Sequence, residues 1–404
     1  MNTTPSANRK HIAIYGKRNA GKSSLMNAII GQEVSIVSEI KGTTTDAISK
    51  PMELLPLGPV VFIDTAGLDD EGVLGDLRVK SALKILERTD FALYILDAFE
   101  LSEAAENEFK TMIKRFKQYH IPYLMVFNKV DLLSDEQKKS ISIKYPEAAL
   151  VSSGVLEDIH ALKDKLIHAM SGEPEEPTLL GDLVPYNGTV VMVVPVDSEA
   201  PKGRLILPQV QLIRDCLDHG IKSYVVRDTE LEAALKDLSK VDLVVTDSQA
   251  FAEVSKIVPR DMPLTSFSIL FARHKGDLAS FVSGAEAVSN LKEGSRVLIS
   301  ESCTHNHSHE DIGRVKIPKL LNKFTGKTIE YEFKMGHDLP TDLSAYDLVI
   351  HCGSCMLNQK TMMTRIDYCE QSGTPITNYG VVLALMTGIM DRSLEIFRDK
   401  NVLV

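Results

Sequence analysis

The sequence of 404 residues contains only five cysteines, and this small, odd number limits the roles of the thiols. We expect no disulfide framework, because the chain is predicted to be cytoplasmic and cytoplasmic thiols stay reduced. The remaining roles are metal binding, catalysis or burial in a core. Two of the five cysteines fall within the segment Ile-His-Cys-Gly-Ser-Cys at 350–355, which is therefore a candidate site.

Long apolar runs are also missing. The longest, at 184–196, is interrupted by Pro, Asn and Gly and is too short to cross a bilayer. The first ten residues have no apolar core, so we expect no secretory signal. These absences predict a cytoplasmic protein without membrane contact.

A basic tract is the third absence, and the net charge is −10. Proteins that bind RNA or DNA neutralise phosphates and usually carry a basic patch or tail. The nearest approach to one, at 113–120, predicts a solvated helix face. We therefore expect no nucleic-acid partner.

The sequence does contain a regular alternation of short apolar strand segments with helical segments, which is typical of an α/β fold. Between residues 10 and 170 the strands are apolar on both faces, as in a parallel sheet covered by helices. A segment rich in Pro, Gly and acidic residues at 171–182 predicts a linker. The third domain is expected to begin with a helical segment at 263–282. The predicted α/β domains are 1–172, 173–262 and 263–404.

Residues 16–24 fit the pattern Gly-x-x-x-x-Gly-Lys-Ser/Thr of a phosphate-binding loop, between a strand and an apolar helix. Gly16 and Gly21 allow a tight turn whose backbone N–H groups face phosphates at a helix N-terminus. Lys22 is predicted to reach the β- and γ-phosphates, and Ser23 to ligate Mg²⁺. The segment predicts a P-loop domain.

Further motifs lie at the ends of predicted strands, and they occur along the chain in the order that is typical of a GTP-binding domain. Asp64, in Asp-Thr-Ala-Gly, is predicted to hold the Mg²⁺ shell, and Gly67 to offer its N–H to the γ-phosphate. Asp131 can accept two hydrogen bonds from guanine N–H groups that adenine lacks, with Asn128 and Lys129 framing the base. The motifs together therefore predict selection of GTP over ATP.

This part of the chain resembles the translation-factor-like GTPases of the TrmE–Era group. Residues 41–46, Lys-Gly-Thr-Thr-Thr-Asp, are similar to that group's Gly-Thr-Thr-Arg-Asp switch, with Thr45 in place of the arginine. The resemblance implies that Thr44 completes the Mg²⁺ shell in the GTP state. Asn19 matches an asparagine with which the group binds K⁺ near the phosphates, which implies K⁺-stimulated hydrolysis.

The nucleotide site is predicted as a set, with a last base-contacting loop at 151–154. The GTP-binding residues are Gly16, Asn19, Ala20, Gly21, Lys22, Ser23, Ser24, Thr43, Thr44, Asp64, Gly67, Asn128, Lys129, Asp131, Ser152 and Ser153. The catalytic residues are Lys22, Thr44 and Gly67. The Mg²⁺ site is formed by Ser23, Thr44 and Asp64, and the K⁺ site by Asn19.

One expected residue is absent. Leu68 follows Asp-Thr-Ala-Gly, where Ras-like GTPases have a glutamine that positions water. A hydrophobic side chain cannot orient a water molecule. Hydrolysis is therefore expected to be slow, or to be assisted by K⁺, by a partner or by Asp70, Glu71 or Asp76.

Thiol and imidazole groups follow two strand segments in the last third of the chain. Cys303 and His305 come after one of them, and His351, Cys352 and Cys355 come after the other. The carboxyl ends of strands in an open α/β sheet meet at one edge, where ligands usually bind. The two loops therefore predict one metal site.

The spacing alone leaves the metal open. Three cysteines and one histidine would satisfy a closed structural zinc site. Three cysteines alone would hold a [4Fe–4S] cluster with another ligand on the fourth iron. A redox pair of Cys352 and Cys355 is a further interpretation, weakened by the presence of Cys303. Cys216 and Cys369 lie in apolar helical surroundings and are predicted to be packed in cores.

The GTP-binding motifs and the pattern Cys-x-His with His-Cys-x-x-Cys together resemble HydF, the family of GTPases that mature [FeFe]-hydrogenase. The resemblance implies an α/β fold in which a P-loop GTPase domain precedes two smaller α/β domains, a dimerisation domain and a cluster-binding domain. It implies a [4Fe–4S] cluster on Cys303, Cys352 and Cys355, with His305 and His351 as further ligands or neighbours of ligands.

The same resemblance implies a homodimeric scaffold or carrier for the di-iron precursor of the hydrogenase active site. It would exchange with the radical-SAM maturases HydE and HydG and deliver to the hydrogenase HydA. GTP would act as a switch on these partnerships.

Two other functions fit parts of the pattern. One is a TrmE–Era-like GTPase that acts on RNA or ribosomes with a structural zinc in its last domain, although the chain lacks a basic appendage. The other is a metal-dependent enzyme with a regulatory GTPase domain, for which no general base is visible beside the metal ligands.

Overall fold

The computed structural model describes residues 5–31, 47–67, 73–172, 178–195, 203, 205–302, 311–336 and 338–400. The chain divides into two compact units, Met1–Glu175 and Glu176–Val404. Within the described ranges, every helix is too short or too polar to span a bilayer.

The first unit is built on a six-stranded sheet with the order β2-β3-β1-β4-β5-β6. Strand β2 is antiparallel to β3, and all other neighbours are parallel. The strands are β1 (Lys10–Gly16), β2 (Ile48–Leu54), β3 (Gly58–Asp64), β4 (Phe91–Asp97), β5 (Tyr123–Asn128) and β6 (Ala149–Leu150). The helices are α1 (Lys22–Ile30), α2 (Val73–Lys84), α3 (Glu103–Gln118), α4 (Asp135–Lys144) and α5 (Leu156–Met170).

Helices cover both faces of this sheet, as the apolar strands predict. One core joins β1 and β4 to α1 and α5 through residues such as Ile14. On the other face Tyr15 packs against Phe116 with ring centroids 5.4 Å apart, and Tyr94 packs against Phe109 at 4.9 Å. Alternate residues of one strand thus enter opposite cores, which fixes the register of β1 and aligns its carboxyl end with that of β3.

The second unit contains two four-stranded parallel sheets. The first has the order β10-β9-β7-β8, with β7 (Thr189–Val193), β8 (Lys222–Val226), β9 (Leu243–Thr246) and β10 (Leu264–Ser266). The second has the order β12-β11-β13-β14, with β11 (Arg296–Glu301), β12 (Glu330–Met335), β13 (Leu348–His351) and β14 (Ile376–Asn378). Its helices are α6 (Leu207–Asp218), α7 (Leu231–Asp237), α8 (Phe251–Ile257), α9 (Phe267–Lys275), α10 (Leu278–Glu286), α11 (Ile317–Thr325), α12 (Gln359–Gln371), α13 (Tyr379–Met386) and α14 (Met390–Asp399). The prediction of an α/β fold is confirmed.

The last helix of the chain returns to the first sheet of this unit. Thr265 on β10 donates a hydrogen bond to the carbonyl oxygen of Ser393 on α14, at 2.8 Å. Arg392 donates to the carbonyl oxygens of Ser255, Val258 and Pro259. These contacts explain why the two sheets form one compact unit. Strand β10 belongs to the first sheet although it lies beyond residue 262, and the predicted domain limits stay a prediction.

The helical segment predicted at 263–282 is confirmed from residue 267 onward, with a break at 276–277, and is wrong at its start. Residues 264–266 form β10, and two helices follow. The Ser266 side chain accepts from the N–H of Ile269 and starts α9, and the Asp277 carboxylate accepts from the N–H groups of Ala279 and Ser280 and starts α10. Two N-caps thus divide the segment.

Candidate functional sites

The loop between β1 and α1 depends on two glycines. Gly16 has φ of 147° and Gly21 has φ of 89°. A Cβ atom on Gly16 would lie 2.3 Å from the carbonyl oxygen of Ile95, and one on Gly21 would lie 2.2 Å from Nδ2 of Asn128. Neither position has room for a side chain, because the loop passes directly against β4 and β5.

Lys22 lies over this loop at the start of α1. Its Nζ donates to the carbonyl oxygens of Gly16, at 3.0 Å, and of Lys17, at 2.7 Å. Asn19 occupies the left-handed region with φ of 62°. The ammonium group and the amino end of α1 place positive charge at one spot, as phosphate binding requires.

Ser23 and Asp64 meet beside the loop. Ser23 Oγ donates to Asp64 Oδ2 at 2.5 Å. Asp64 Oδ1 is buried and has no hydrogen-bond partner in the described part of the chain. Burial raises the pKa of Asp64, while the hydrogen bond from Ser23 and the charge of Lys22 oppose the rise. A buried carboxylate oxygen without a donor fits the binding of Mg²⁺.

The predicted base-binding residues follow β5 and β6. Asn128 Nδ2 donates to the carbonyl oxygen of Ala20 at 3.0 Å, so the base-binding motif supports the phosphate loop. Lys129 adopts φ of 63° and pairs with Asp97 at 2.6 Å. The side chain of Asp131 is exposed in the turn that follows. An acceptor-only carboxylate is therefore available to a ligand's N–H groups.

The loop of the two serines lies beside that turn. The N–H of Val130 donates to the carbonyl oxygen of Val151 at 3.3 Å. The N–H of Ser152 donates to the Asp158 carboxylate at 2.8 Å, and Ser153 is half-buried. Thr43 and Thr44 lie outside the described residues, and Gly67 is buried three residues beyond β3. The roles assigned to all these residues stay predictions.

In the second unit, the two thiol-bearing segments follow neighbouring strands. Strands β11 and β13 are parallel, with Ser300 opposite His351. The N–H of Ser302 donates to Cys352 Sγ at 3.0 Å, and Ser302 Oγ lies 3.0 Å from the same sulfur. Cys303 and His305 lie outside the described residues, but Ser302 immediately precedes Cys303 in the chain. The ends of both strands therefore meet at Cys352.

His351 ends β13 and is fully buried. Its Nδ1 lies 2.9 Å from the carbonyl oxygen of Cys352 and 3.1 Å from Ser354 Oγ. Its Nε2 lies 2.5 Å from Nη1 of Arg365, on α12. Burial, together with the charge of Arg365, lowers the pKa of His351 to about 3. The imidazole is therefore neutral at physiological pH.

Cys355 is held in the same loop. Burial and then the neighbouring Cys352 raise the pKa of Cys355, while Lys275 opposes the rise. Lys275, from α9, is itself buried and donates to the carbonyl oxygens of Ser354, at 3.2 Å, and Leu357, at 2.9 Å. A cation from a distant helix thus fixes the backbone on both sides of Cys355.

Glu301 immediately precedes Ser302, the residue that donates to Cys352. It is buried at the end of β11 and accepts hydrogen bonds from Arg314 Nε, at 3.3 Å, and from the Tyr379 hydroxyl, at 3.5 Å. Burial raises the pKa of Tyr379, which stays a neutral donor. A Cβ atom on Gly313 would lie 1.9 Å from the Tyr379 hydroxyl oxygen, so this glycine leaves room for that contact.

The residues present fit a metal centre with thiolate ligands. In the described ranges, no three or more His, Cys, Asp or Glu side chains gather closely enough to hold a metal ion. Two thiols are nevertheless present in one loop, and donors to cysteine sulfur are typical of iron–sulfur ligands. Cys216 and Cys369 are fully buried, as predicted, and burial raises the pKa of each to about 12.

Ser302, Lys275 and Arg365 were not predicted from the sequence. Ser302 lies next to Cys303, so its contact with a thiol could have been proposed from the strand pairing. Lys275 and Arg365 are the sole basic residues among the buried residues of α9 and α12. A single basic residue on the buried face of a helix is a weak signal, and it does not reveal which group that residue contacts.

The fold and the first site define the class, a P-loop GTPase domain with two α/β domains after it. A family model described as 50S ribosome-binding GTPase matches residues 11–129. The hydrogen maturase F dimerization domain matches residues 179–276, and the hydrogen maturase F tetramerization domain matches residues 279–396. The chain has the three-part architecture of hydrogen maturase F and belongs to the HydF family.

Curated relatives match the GTPase domain. GTPase Der of Kosmotoga olearia is 38% identical over 136 residues, 32% of this chain and 30% of that protein. The tRNA modification GTPase MnmE of Chromobacterium violaceum is 34% identical over 158 residues, 39% of this chain and 34% of that protein. GTPase Era of Heliobacterium modesticaldum is 34% identical over 173 residues, 41% of this chain and 56% of that protein. The chain thus spans about a third to a half of these relatives, and the predicted resemblance to the TrmE–Era group is confirmed.

Proposed function

We propose that this chain is a GTP-hydrolysing iron–sulfur scaffold or carrier in the assembly of the [FeFe]-hydrogenase active-site cluster. One observation carries the proposal. A GTPase domain is followed along the chain by two domains specific to the maturase family. The second of these two domains contains the loop of Cys352 and Cys355. Neither of the alternative functions accounts for both features.

The nucleotide site supplies the switch. In this proposal Lys22 exchanges its backbone acceptors for the β- and γ-phosphates, and Asp64 contributes its free oxygen to the Mg²⁺ shell. Asp131 reads the guanine edge, and Asn19 holds K⁺ near the phosphates. The hydrogen bond from Asn128 to Ala20 links the occupancy of the base site to the shape of the phosphate loop.

The loop at 352–355, called here the thiol loop, binds the metal cluster. A bound [4Fe–4S] cluster supplies an iron-containing platform to which the di-iron precursor can attach. Cys352 and Cys355, together with Cys303, hold that cluster, and Ser302 donates to the sulfur of Cys352. The two thiols follow the central strand β13, which positions them rigidly at one sheet edge.

The middle sheet supports self-association. Strand β8 lies at the edge of the described sheet, and both its faces are accessible, with Tyr224 and Val225 exposed. Leu217, near the end of the preceding helix α6, is 67% exposed. An accessible edge strand with exposed apolar residues is a template for pairing with another strand. We place a second copy of the chain there, in a homodimer.

The proposed partners are the radical-SAM maturases HydE and HydG, which supply the precursor, and the hydrogenase HydA, which receives it. The nucleotide state selects between them. This exchange takes place in the cytoplasm, where the sparse thiols stay available for metal binding.

The test is reconstitution of the full chain with iron and sulfide without oxygen, followed by EPR of the reduced protein. Wild-type protein should bind about four irons. Cys352→Ala should lose the signal and retain GTP hydrolysis, because the two sites lie in different units. Cys369→Ala removes a buried thiol elsewhere and should retain both. A colourless wild-type protein with one zinc would instead support the RNA- or ribosome-associated GTPase.

A further inference from the structure

A buried guanidinium holds the thiol loop in place. Arg365 is 3% exposed, and its donors reach three strand ends. Nη1 lies 3.2 Å from Ser300 Oγ on β11 and 2.5 Å from His351 Nε2 on β13. Nη2 lies 2.6 Å from the carbonyl oxygen of Gly336, which follows β12. One side chain thus ties together the carboxyl ends of three neighbouring strands.

This contact decides which nitrogen of His351 carries the proton. A guanidinium in a protein stays protonated and can only donate, so Nε2 of His351 presents its lone pair to Arg365. The proton then lies on Nδ1, which donates to the carbonyl oxygen of Cys352 at 2.9 Å, with Ser354 Oγ nearby. Both ring nitrogens are therefore engaged by protein groups, and neither offers a lone pair to a metal.

We propose that Arg365 and His351 form a buried bracket that positions Cys352, and that His351 is not a ligand of the proposed cluster. The cluster in this inference rests on the proposed function, whereas the bracket is a property of the chain itself. Arg365 fixes the strand ends, and His351 transmits that position to the backbone of Cys352. The two are positioning residues.

The opposite end of the loop has a matching support. Lys275 donates to the carbonyl oxygens of Ser354 and Leu357, and Ser354 adopts φ of 56°. A residue other than glycine persists in this conformation only when its surroundings hold it there. The segment between the two thiols is thus fixed from α9 and α12, so the thiols are arranged before any metal arrives.

His351→Gln is the variant that separates a bracket from a ligand. Its amide offers one acceptor and one donor in place of the two ring nitrogens, but it is not a histidine ligand. His351→Leu has a similar size and offers neither group. Arg365→Leu removes the guanidinium that contacts Nε2 of His351. His160→Gln, at an exposed site, is the control.

The first readout is thermal unfolding of the full chain without metal, under reducing conditions. His351→Leu and Arg365→Leu should each lower the unfolding temperature of the second unit by roughly 5 °C or more, because a buried partner is left unmatched. His351→Gln should lower it by less than half as much. The double leucine variant should show less than the sum of the two shifts, because each removes the same contact. Unchanged unfolding in His351→Leu would overturn the bracket.

The second readout is pulsed EPR of the chain labelled with ¹⁵N-histidine and loaded with iron and sulfide. Wild-type and His351→Gln proteins should bind equal iron and show the same histidine-nitrogen couplings. A strong histidine-nitrogen coupling in wild type that disappears in His351→Gln would overturn the proposal. Failure of wild type to bind any cluster would defeat the proposed function, and the unfolding temperatures would still decide whether the bracket exists.

Discussion

The nucleotide site and the thiol site both lie at the carboxyl ends of parallel strands, but different kinds of contact hold them together. In the first unit, Lys22 and Ser23 begin one short helix, and Lys22 donates to backbone carbonyl oxygens five and six residues before it. In the second unit, the loop of Cys352 is fixed by Lys275 and Arg365 from two separate helices. The phosphate-binding loop of the first site is thus formed largely by one contiguous motif, whereas the thiol site depends on the packing of distant elements.

This difference predicts different responses to substitution. A change in the phosphate loop should affect ligand binding and leave the rest of the fold intact. A change in a support of the thiol loop should affect folding of the second unit as well as metal binding, because the same contacts serve both.

The largest expected effect is in the phosphate loop. Gly21→Ala places a Cβ atom 2.2 Å from Nδ2 of Asn128 at a φ of 89°, so the loop must shift. GTP affinity, measured with a fluorescent analogue, should fall by about 100-fold or more. Gly172→Ala, where a Cβ atom meets nothing within 4 Å, is the control. Normal affinity in Gly21→Ala would show that the loop is not fixed by this contact.

A change of specificity should follow from the base-binding turn. Asp131→Asn replaces an acceptor pair with an amide that can donate to the extra oxygen of xanthine. The variant should prefer xanthosine triphosphate to GTP by roughly tenfold or more in competition binding. Asp135→Asn, also exposed and four residues away, should retain the GTP preference. If Asp131→Asn also keeps that preference, Asp131 does not read the base.

The stability of the first unit should depend on pH through His11. Burial lowers the pKa of His11 from 6.5 to about 4. The unfolded chain therefore binds the proton more readily, so the contribution of His11 is complete above pH 6.5 and is lost as the pH falls toward 4. The change corresponds to roughly 3 kcal/mol over that window.

Chemical denaturation at a series of pH values checks this prediction. His11→Gln should lose the dependence, and His160→Gln, at an exposed position, should retain it. A His11→Gln protein with the wild-type slope would show that other groups cause the dependence.

The smallest effect is expected at the thiol loop. Ser302→Ala removes the hydroxyl from Cys352 Sγ and keeps the backbone N–H donor. Donors to the sulfur stabilise the reduced cluster, so the reduction potential should fall, by less than about 60 mV. EPR-monitored redox titration measures the shift, with exposed Ser344→Ala as the control. A rise in the potential would contradict the assigned contact.

The same contrast explains which features the sequence could predict. The P-loop, the strand ends and the placement of Cys352 follow from local patterns, and the structure brings Lys22, Ser23 and Asp64 together. The bracket of Arg365 and His351 could not be predicted from local patterns. Arg365 lies 65 residues from Ser300 in the chain and reaches it only because the sheet brings the two segments together. Within the helical segment predicted at 263–282, the strand at 264–266 and the break at 276–277 were missed, because the apolar pattern outweighed the two caps, Ser266 and Asp277.

The iron and acid-labile sulfide content of Cys303→Ala, together with its EPR spectrum, tests most directly whether the two thiol segments hold one cluster. We expect that wild type holds about four irons, that Cys303→Ala loses the cluster signal, and that both proteins hydrolyse GTP at similar rates. A Cys303→Ala protein with full iron content and an unchanged spectrum would contradict the joining of the two thiol segments around one cluster.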